Sequence, residues 1–345
     1  MTIENRSACF DKQIYYRLIA LWAVCEAFLG GMLHGLKLPV SGLLVGSCAV
    51  TCICLIAFYV PVKGAILKAT LIVAVCKMML SPHSPPPAYI AVFFQGLVAE
   101  ILFFNKKHYR VACLLLGGLT LFESAIQRIL VMTVLYGKNL WTVIDEFISH
   151  LTRQQVVTNY TLWLASGYIL LHIFIGILVG FYAGKIVVHS QQWGLLHKDF
   201  IITPLAEDMN RLPAFKHGVR RKKMKGALFM VWLILIAIYL QSWLHIGKPI
   251  LPPQIIMQLL LRSVTIVLSW YFLVSPLVML LLKKWLTKQQ QKSPLEIQEV
   301  LHLLPSTQYI IEQSWLLSNN HKGIERLARC CKIVLMNTLQ KPYDR

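Results

Sequence analysis

Acidic side chains are scarce in this chain. Asp and Glu number 15 against 34 Lys and Arg in 345 residues, a formal net charge of +19. Charged residues of either sign make up only 14%, hydrophobic ones 57%, and mean hydropathy is +0.60. So little charge excludes a soluble domain with one anchor and points to an integral membrane protein. A basic excess can mark a nucleic-acid binder. Here the cations fall between apolar runs, as positive-inside loops require, so nucleic acid is not expected as a partner.

Catalytic signatures are missing too. No GxxxxGK[ST] loop occurs, so the chain is not expected to bind and split ATP by that device. There is no GxSxG elbow, HExxH helix or dinucleotide glycine pattern. The nine cysteines form no CxxC pair and lie near no His at ligand spacing. Cys25, Cys48, Cys52, Cys54 and Cys76 sit in apolar runs and Cys330 and Cys331 in the tail, so they read as small hydrophobes. No metal or cofactor is expected. The start, MTIENRSACFDKQ, lacks the apolar core and cleavage site of a signal peptide.

What is present is a series of eight apolar runs, near 17–36, 39–60, 64–80, 88–104, 111–136, 159–184, 227–246 and 254–282. Pro39 and Pro61 mark tight entries, and SPHSPPP (Ser81 to Pro87) is a stiff connector. Gly117, Gly118 and Gly176 within spans allow close helix packing. With a cytoplasmic N-terminus, the inside loops carry Lys106, Lys107, Arg110, the run Arg220 to Lys223 with Lys225, and Lys283 and Lys284. The outside loops hold only Lys37, Lys138, Arg153 and Lys248. This asymmetry predicts both termini on the cytoplasmic side of a bacterial inner membrane. The run at 220–225 either orients the seventh span or binds anionic lipid headgroups.

Four regions are expected: a six-span membrane domain (1–190), a basic cytoplasmic linker (191–226), a two-span segment (227–284) and cytoplasmic amphipathic helices (285–345). The fold class is thus an all-α polytopic membrane protein. Between the fifth and sixth spans, Trp141, Ile144, Phe147, Ile148 and Leu151 recur at helical spacing, which predicts a surface helix serving as a lid or a connector. The tail carries two amphipathic patterns, 295–317, expected to break at Pro305, and 323–339.

The first span has Ala23, Ala27 and Gly31 at i, i+4 and i+8, a face slim enough for another helix backbone. Other faces carry Trp22 and the ionisable Glu26, with His34 at the outer end. Further polar or aromatic groups in the outer halves of spans are Phe94, Gln95, Glu123, Gln127, Arg128, Asn159 and Trp163. Together they could line an outward cavity for a small molecule, Arg128 suiting a carboxylate or phosphate and Glu123 or Glu26 an amine. The plainer reading is an ion pair, Glu123–Arg128 or Glu26–Arg128, that only neutralises charge. Glu100 and Arg262 read as interfacial or snorkelling groups, and His172 as a packed, hydrogen-bonded histidine.

The first 190 residues resemble the substrate-capturing subunit of energy-coupling factor transporters, vitamin importers whose ATPases are separate proteins. The resemblance rests on six short-looped spans, on Ala23-xxx-Ala27, and on the stretch Leu67 to Phe103 with its proline-rich loop and small-residue helix. It implies a non-enzymatic transport subunit that binds a vitamin-like molecule on the outer side. Ala23, Ala27 and Gly31 would then dock a transmembrane coupling subunit, and the outer-half residues would hold substrate. The C-terminal 150 residues depart from the family. They resemble a shortened coupling subunit, whose helices carry Ala-Arg-Gly where this chain has Ala328-Arg329-Cys330. That implies Arg326 and Arg329 as coupling residues, with ATPase subunits and membrane lipid as partners. The alternative is a stand-alone carrier or intramembrane enzyme using Glu26, Glu123 and Arg128.

Overall fold

A computed structural model describes residues 12–30, 41–81, 84–105, 108–152, 159–196, 200–202, 237, 241 and 253–339. Among them every regular element is helical. In chain order these are α1 (Lys12–Val24, continued by a π turn, Cys25–Leu29), α2 (Ser41–Tyr59), α3 (Ala65–Leu80) and α4 (Pro86–Leu102). Next come α5 (Tyr109–Tyr136), α6 (Lys138–Leu151) and α7 (Tyr160–Leu196). After the described break follow α8 (Pro253–Ser269), a second π turn (Trp270–Val274), α9 (Ser275–Lys292), α10 (Pro294–Leu317) and α11 (Gly323–Leu339).

Among the described residues, four helical stretches are long and apolar enough to cross a bilayer: Ser41–Tyr59, Tyr109–Tyr136, Tyr160–Val187 and Ile256–Lys292. This is fewer than the eight runs of the sequence. Helix α3 has 16 residues and α4 17, so at about 1.5 Å per residue they rise only about 24–26 Å. Residues 31–36 of the first run, all of the run at 227–246 except 237 and 241, and the basic stretch 220–225 lie outside the described residues.

By its internal contacts the chain divides into two compact units, one of 1–121, 174–218 and 283–345, the other of 122–173 and 219–282. The expected boundaries near 190 and 284 follow polarity, whereas these units follow packing. In the first unit α1 is the centre. It packs on α2, α3, α10 and α11, and ten of its 13 residues are buried. The last two helices therefore cover the first one. Lys68 of α3 pairs with Glu296 of α10 at 2.6 Å, and the Tyr15 hydroxyl donates to the Ala65 carbonyl at 2.8 Å.

Helices α3 and α4 form a tight pair. A Cβ on Gly96 would run into the Thr70 side chain, so glycine sets how closely they approach. Glu100, expected at an interface, accepts hydrogen bonds from the Gly64 amide at 2.6 Å and the Leu67 amide at 3.3 Å. Its carboxylate thus caps the start of α3, where a helix N-terminus favours negative charge. Gly117 of α5 meets Gly176 and Gly180 of α7 backbone to backbone, leaving no room for a side chain.

Two expectations are corrected. Helix α10 continues through Pro305. The proline removes one amide, but the Ser306 and Thr307 hydroxyls both donate to the Leu303 carbonyl at 2.8 Å, adding polar bonds beside the gap. The sixth run was expected to end at 184 and give way to a loop, yet α7 extends to Leu196. Its apolar composition ends near Val187, and backbone bonding carries the helix on through polar residues. At 200–202 the chain is clamped to α11. The Asn337 side chain accepts from the Ile202 amide at 2.8 Å and donates to the Phe200 carbonyl at 3.0 Å.

In the second unit α6 is the predicted surface helix. Asp145 accepts from the Thr161 amide at 2.6 Å and so caps the first turn of α7, while the Thr161 hydroxyl donates to the Trp141 carbonyl at 3.0 Å. Helix α8 also packs on α6. His172 is buried, its Nδ1 is 2.9 Å from the Tyr168 carbonyl, and its ring lies 4.2 Å from the Tyr168 ring.

Candidate functional site: a buried ion pair

Within the first unit, Glu26 and Lys77 form an ion pair, Nζ to Oε2 2.7 Å, with side chains 3% and 5% exposed. Two charges this far from water persist only when geometry and further hydrogen bonds offset their lost hydration. The local folds supply both. Glu26 sits in the π turn Cys25–Leu29, where the Gly30 amide bonds to the Ala27 and Cys25 carbonyls. Such wide turns re-aim a side chain that a regular helix would place elsewhere. Lys77 lies in the last turn of α3, where a helix C-terminus favours a cation. Its ammonium also donates to the Ala88 carbonyl at 3.2 Å and stands 5.8 Å over the Tyr89 ring, both at the start of α4.

Other buried polar atoms in this unit lack such partners. The Trp22 Nε1, Tyr89 hydroxyl, Gln95 Oε1 and Thr120 hydroxyl make no hydrogen bond. Unsatisfied buried groups are costly and rare, so several among α1, α4 and α5 mark a polar interior unlike an ordinary apolar core. Chemically, the pair sets one carboxylate and one ammonium against each other inside a largely apolar bundle.

The sequence candidates are divided between the two units. In the first unit, Trp22 is fully buried, Glu26 is paired, Gln95 is buried and Phe94 half-buried. The ammonium against Glu26 thus comes from the chain itself, and the alternative pairing of Glu26 with Arg128 is replaced by Lys77. Ala23 and Ala27 are 0% and 6% exposed, covered within the chain. Gly31 and His34 lie outside the described residues. In the second unit, Glu123 is half-buried and its Oε2 has no hydrogen bond. Gln127 and Arg128 are half-buried and both have partners. Asn159 is exposed ahead of α7, and Trp163 is 75% exposed.

The tail arginines are also placed. Arg326 stacks on Trp315, with its guanidinium carbon 3.9 Å from the ring, and donates to the Trp315 carbonyl at 3.3 Å. Arg329 donates to His321 Nε2 at 2.6 Å and, with Ala328, Lys332 and Phe200, lines a cavity of about 280 Å³. Next to Arg329, burial pushes the Cys330 thiol up, and the Arg326 charge opposes the shift only in part.

Lys77 is the residue the sequence reading passes over. It stands four residues before Ser81, the start of the Ser81–Pro87 connector, where a lysine ordinarily snorkels to water. The available signal was Glu26 itself, since a carboxylate inside an apolar run needs a cation. No protein-family model matches this chain, and neither does any curated protein or solved structure.

Proposed function

We propose that this chain is the membrane subunit of an energy-coupling factor type importer, with capture helices and coupling helices joined in one polypeptide. The observation that carries the reading is the packing of α1 against α10 and α11. In the resembled family the AxxxA face of the first helix docks a separate coupling subunit. Here the helix bearing Ala23 and Ala27 is covered by amphipathic helices from its own C-terminus. A vitamin-like molecule is taken from the outer side by residues drawn from Trp22, Glu26 and Gln95 of the first unit. Separate ATPase subunits supply the energy.

The ATPases meet the start of α11, where Ile324 and Leu327 are 85% and 55% exposed beside Arg326 and Arg329. Apolar side chains left bare on an amphipathic helix suit the groove of a soluble partner. The test is co-purification of the intact chain with ATPase subunits from its own membranes. Ile324→Asp with Leu327→Asp should leave insertion unchanged and reduce recovered ATPase by at least about tenfold. Equal recovery from the variant removes this reading.

A second reading is a carrier that works without ATPases, favoured by the Glu26–Lys77 pair inside an apolar bundle. Ion-driven uptake by the isolated chain in vesicles would establish it over the first.

A further inference from the structure

Arg262 is the single charged residue of α8, and it lies in the apolar stretch Ile256–Lys292. No carboxylate among the described residues pairs with it. Its guanidinium rests against Gly137, the residue between α5 and α6, at φ +76°. A Cβ there would stand 2.5 Å from Nη1 and 2.7 Å from Cζ, so the backbone favours glycine and any side chain would push the guanidinium aside. The end of α5 favours a cation at this point, which explains why the side chain is held there.

Arg262 also lines a cavity of about 370 Å³ in the second unit. Tyr136, Asn139, Gln258 and Thr265 contribute polar groups to its wall, and Leu259 an apolar part. Asn139 Nδ2 donates to Gln258 Oε1 at 3.5 Å, which leaves the Gln258 amide hydrogens uncommitted by that contact. The Thr265 hydroxyl donates to the Leu261 carbonyl at 2.9 Å. No acidic residue is in the lining. The wall therefore combines a planar five-donor cation, neutral amides and an apolar patch.

We propose that this cavity binds a phosphate ester, with Arg262 as the fork that grips the phosphate oxygens. Guanidinium matches phosphate geometry in a way that ammonium does not, and an unpaired one in a concave, partly apolar site is suited to an anion with a hydrophobic portion. A phospholipid headgroup and a soluble phosphate share this chemistry. The import reading plays no part in the argument.

The test uses the full chain in detergent, in two arms. One adds phosphatidylglycerol and counts retained lipid by native mass spectrometry. The other adds inorganic phosphate and follows the melting temperature. Arg262→Gln should lower retention by about tenfold in the lipid arm if a headgroup is bound, or abolish the phosphate-dependent rise if a soluble ester is bound. Arg262→Lys should keep the charge but lose the fork, and fall between wild type and Arg262→Gln. Gly137→Ala, which displaces the guanidinium while keeping it, should reproduce the loss. Wild type and Arg262→Gln behaving alike in both arms overturns the proposal, and so does full binding in Gly137→Ala.

Discussion

Helix α1 and the rod formed by α8 and α9 are both largely apolar, yet protein covers most of α1 and only a few positions of the rod, such as Ile256, Leu259 and Leu286. Leu18, Ile19, Ala20 and Trp22 of α1 are each 0% exposed. In the rod, Leu261, Phe272, Leu273 and Leu280 are each more than 60% exposed, and no residue of its most apolar window is buried. The same residue types are solvated by protein in one place and need lipid in the other. The difference teaches that hydrophobicity identifies a residue that avoids water without naming what replaces the water. Polar residues divide in a parallel way. Glu26 in the first unit has an ammonium at 2.7 Å, whereas Glu123 in the second has an oxygen with no hydrogen bond.

The largest expected effect tests that polar contrast. Glu26→Gln should leave a buried ammonium uncompensated and destabilise the protein by about 3–5 kcal/mol, while Glu26→Gln with Lys77→Met recovers much of the loss. Glu123→Gln should change stability by less than about 1 kcal/mol, as its Oε2 makes no hydrogen bond that could be lost. Reversible unfolding in mixed micelles measures all three, and equal costs for the two single variants would break the comparison. A smaller effect separates protein from lipid as the solvent of leucine. Leu18→Ala should cost about 2–5 kcal/mol, by emptying a packed site. Leu280→Ala, 69% exposed, should cost well under about 1 kcal/mol in the same micelles. The smallest concerns the covering of α1. Lys68 and Glu296 are 49% and 26% exposed, so Lys68→Gln should cost about 0.2–1 kcal/mol, and less in high salt. A loss above this range would mean that the pair, rather than apolar packing, holds α10 in place.

Much of the helical layout is legible in the sequence. Runs ending at 60, 80 and 136 correspond to helices ending at Tyr59, Leu80 and Tyr136, because Pro61, the Ser81–Pro87 connector and Gly137 punctuate the chain there. The end of α7 is not legible, since polarity changes near Val187 while the backbone bonds run on to Leu196. Pro305 misleads because its usual penalty is local, and Ser306 and Thr307 supply bonds next to it. Amphipathic faces on 295–317 and 323–339 announce that something must cover them, but not that the partner is α1. At the candidate site Glu26 is readable as a buried anion. Its partner is not, because a π turn and the Ala88 carbonyl, both tertiary details, draw Lys77 inward.

The cover over α1 also has a consequence in time. The helix synthesised earliest among those described finds two of its neighbours, α10 and α11, only when residues 294–339 have been made. Contacts so distant along the chain close slowly, and until they do the oldest segment waits with one flank bare. Maturation of this unit therefore cannot be vectorial: α1 is completed by α10 and α11, and a ribosome stalled before residue 294 leaves its core unfinished.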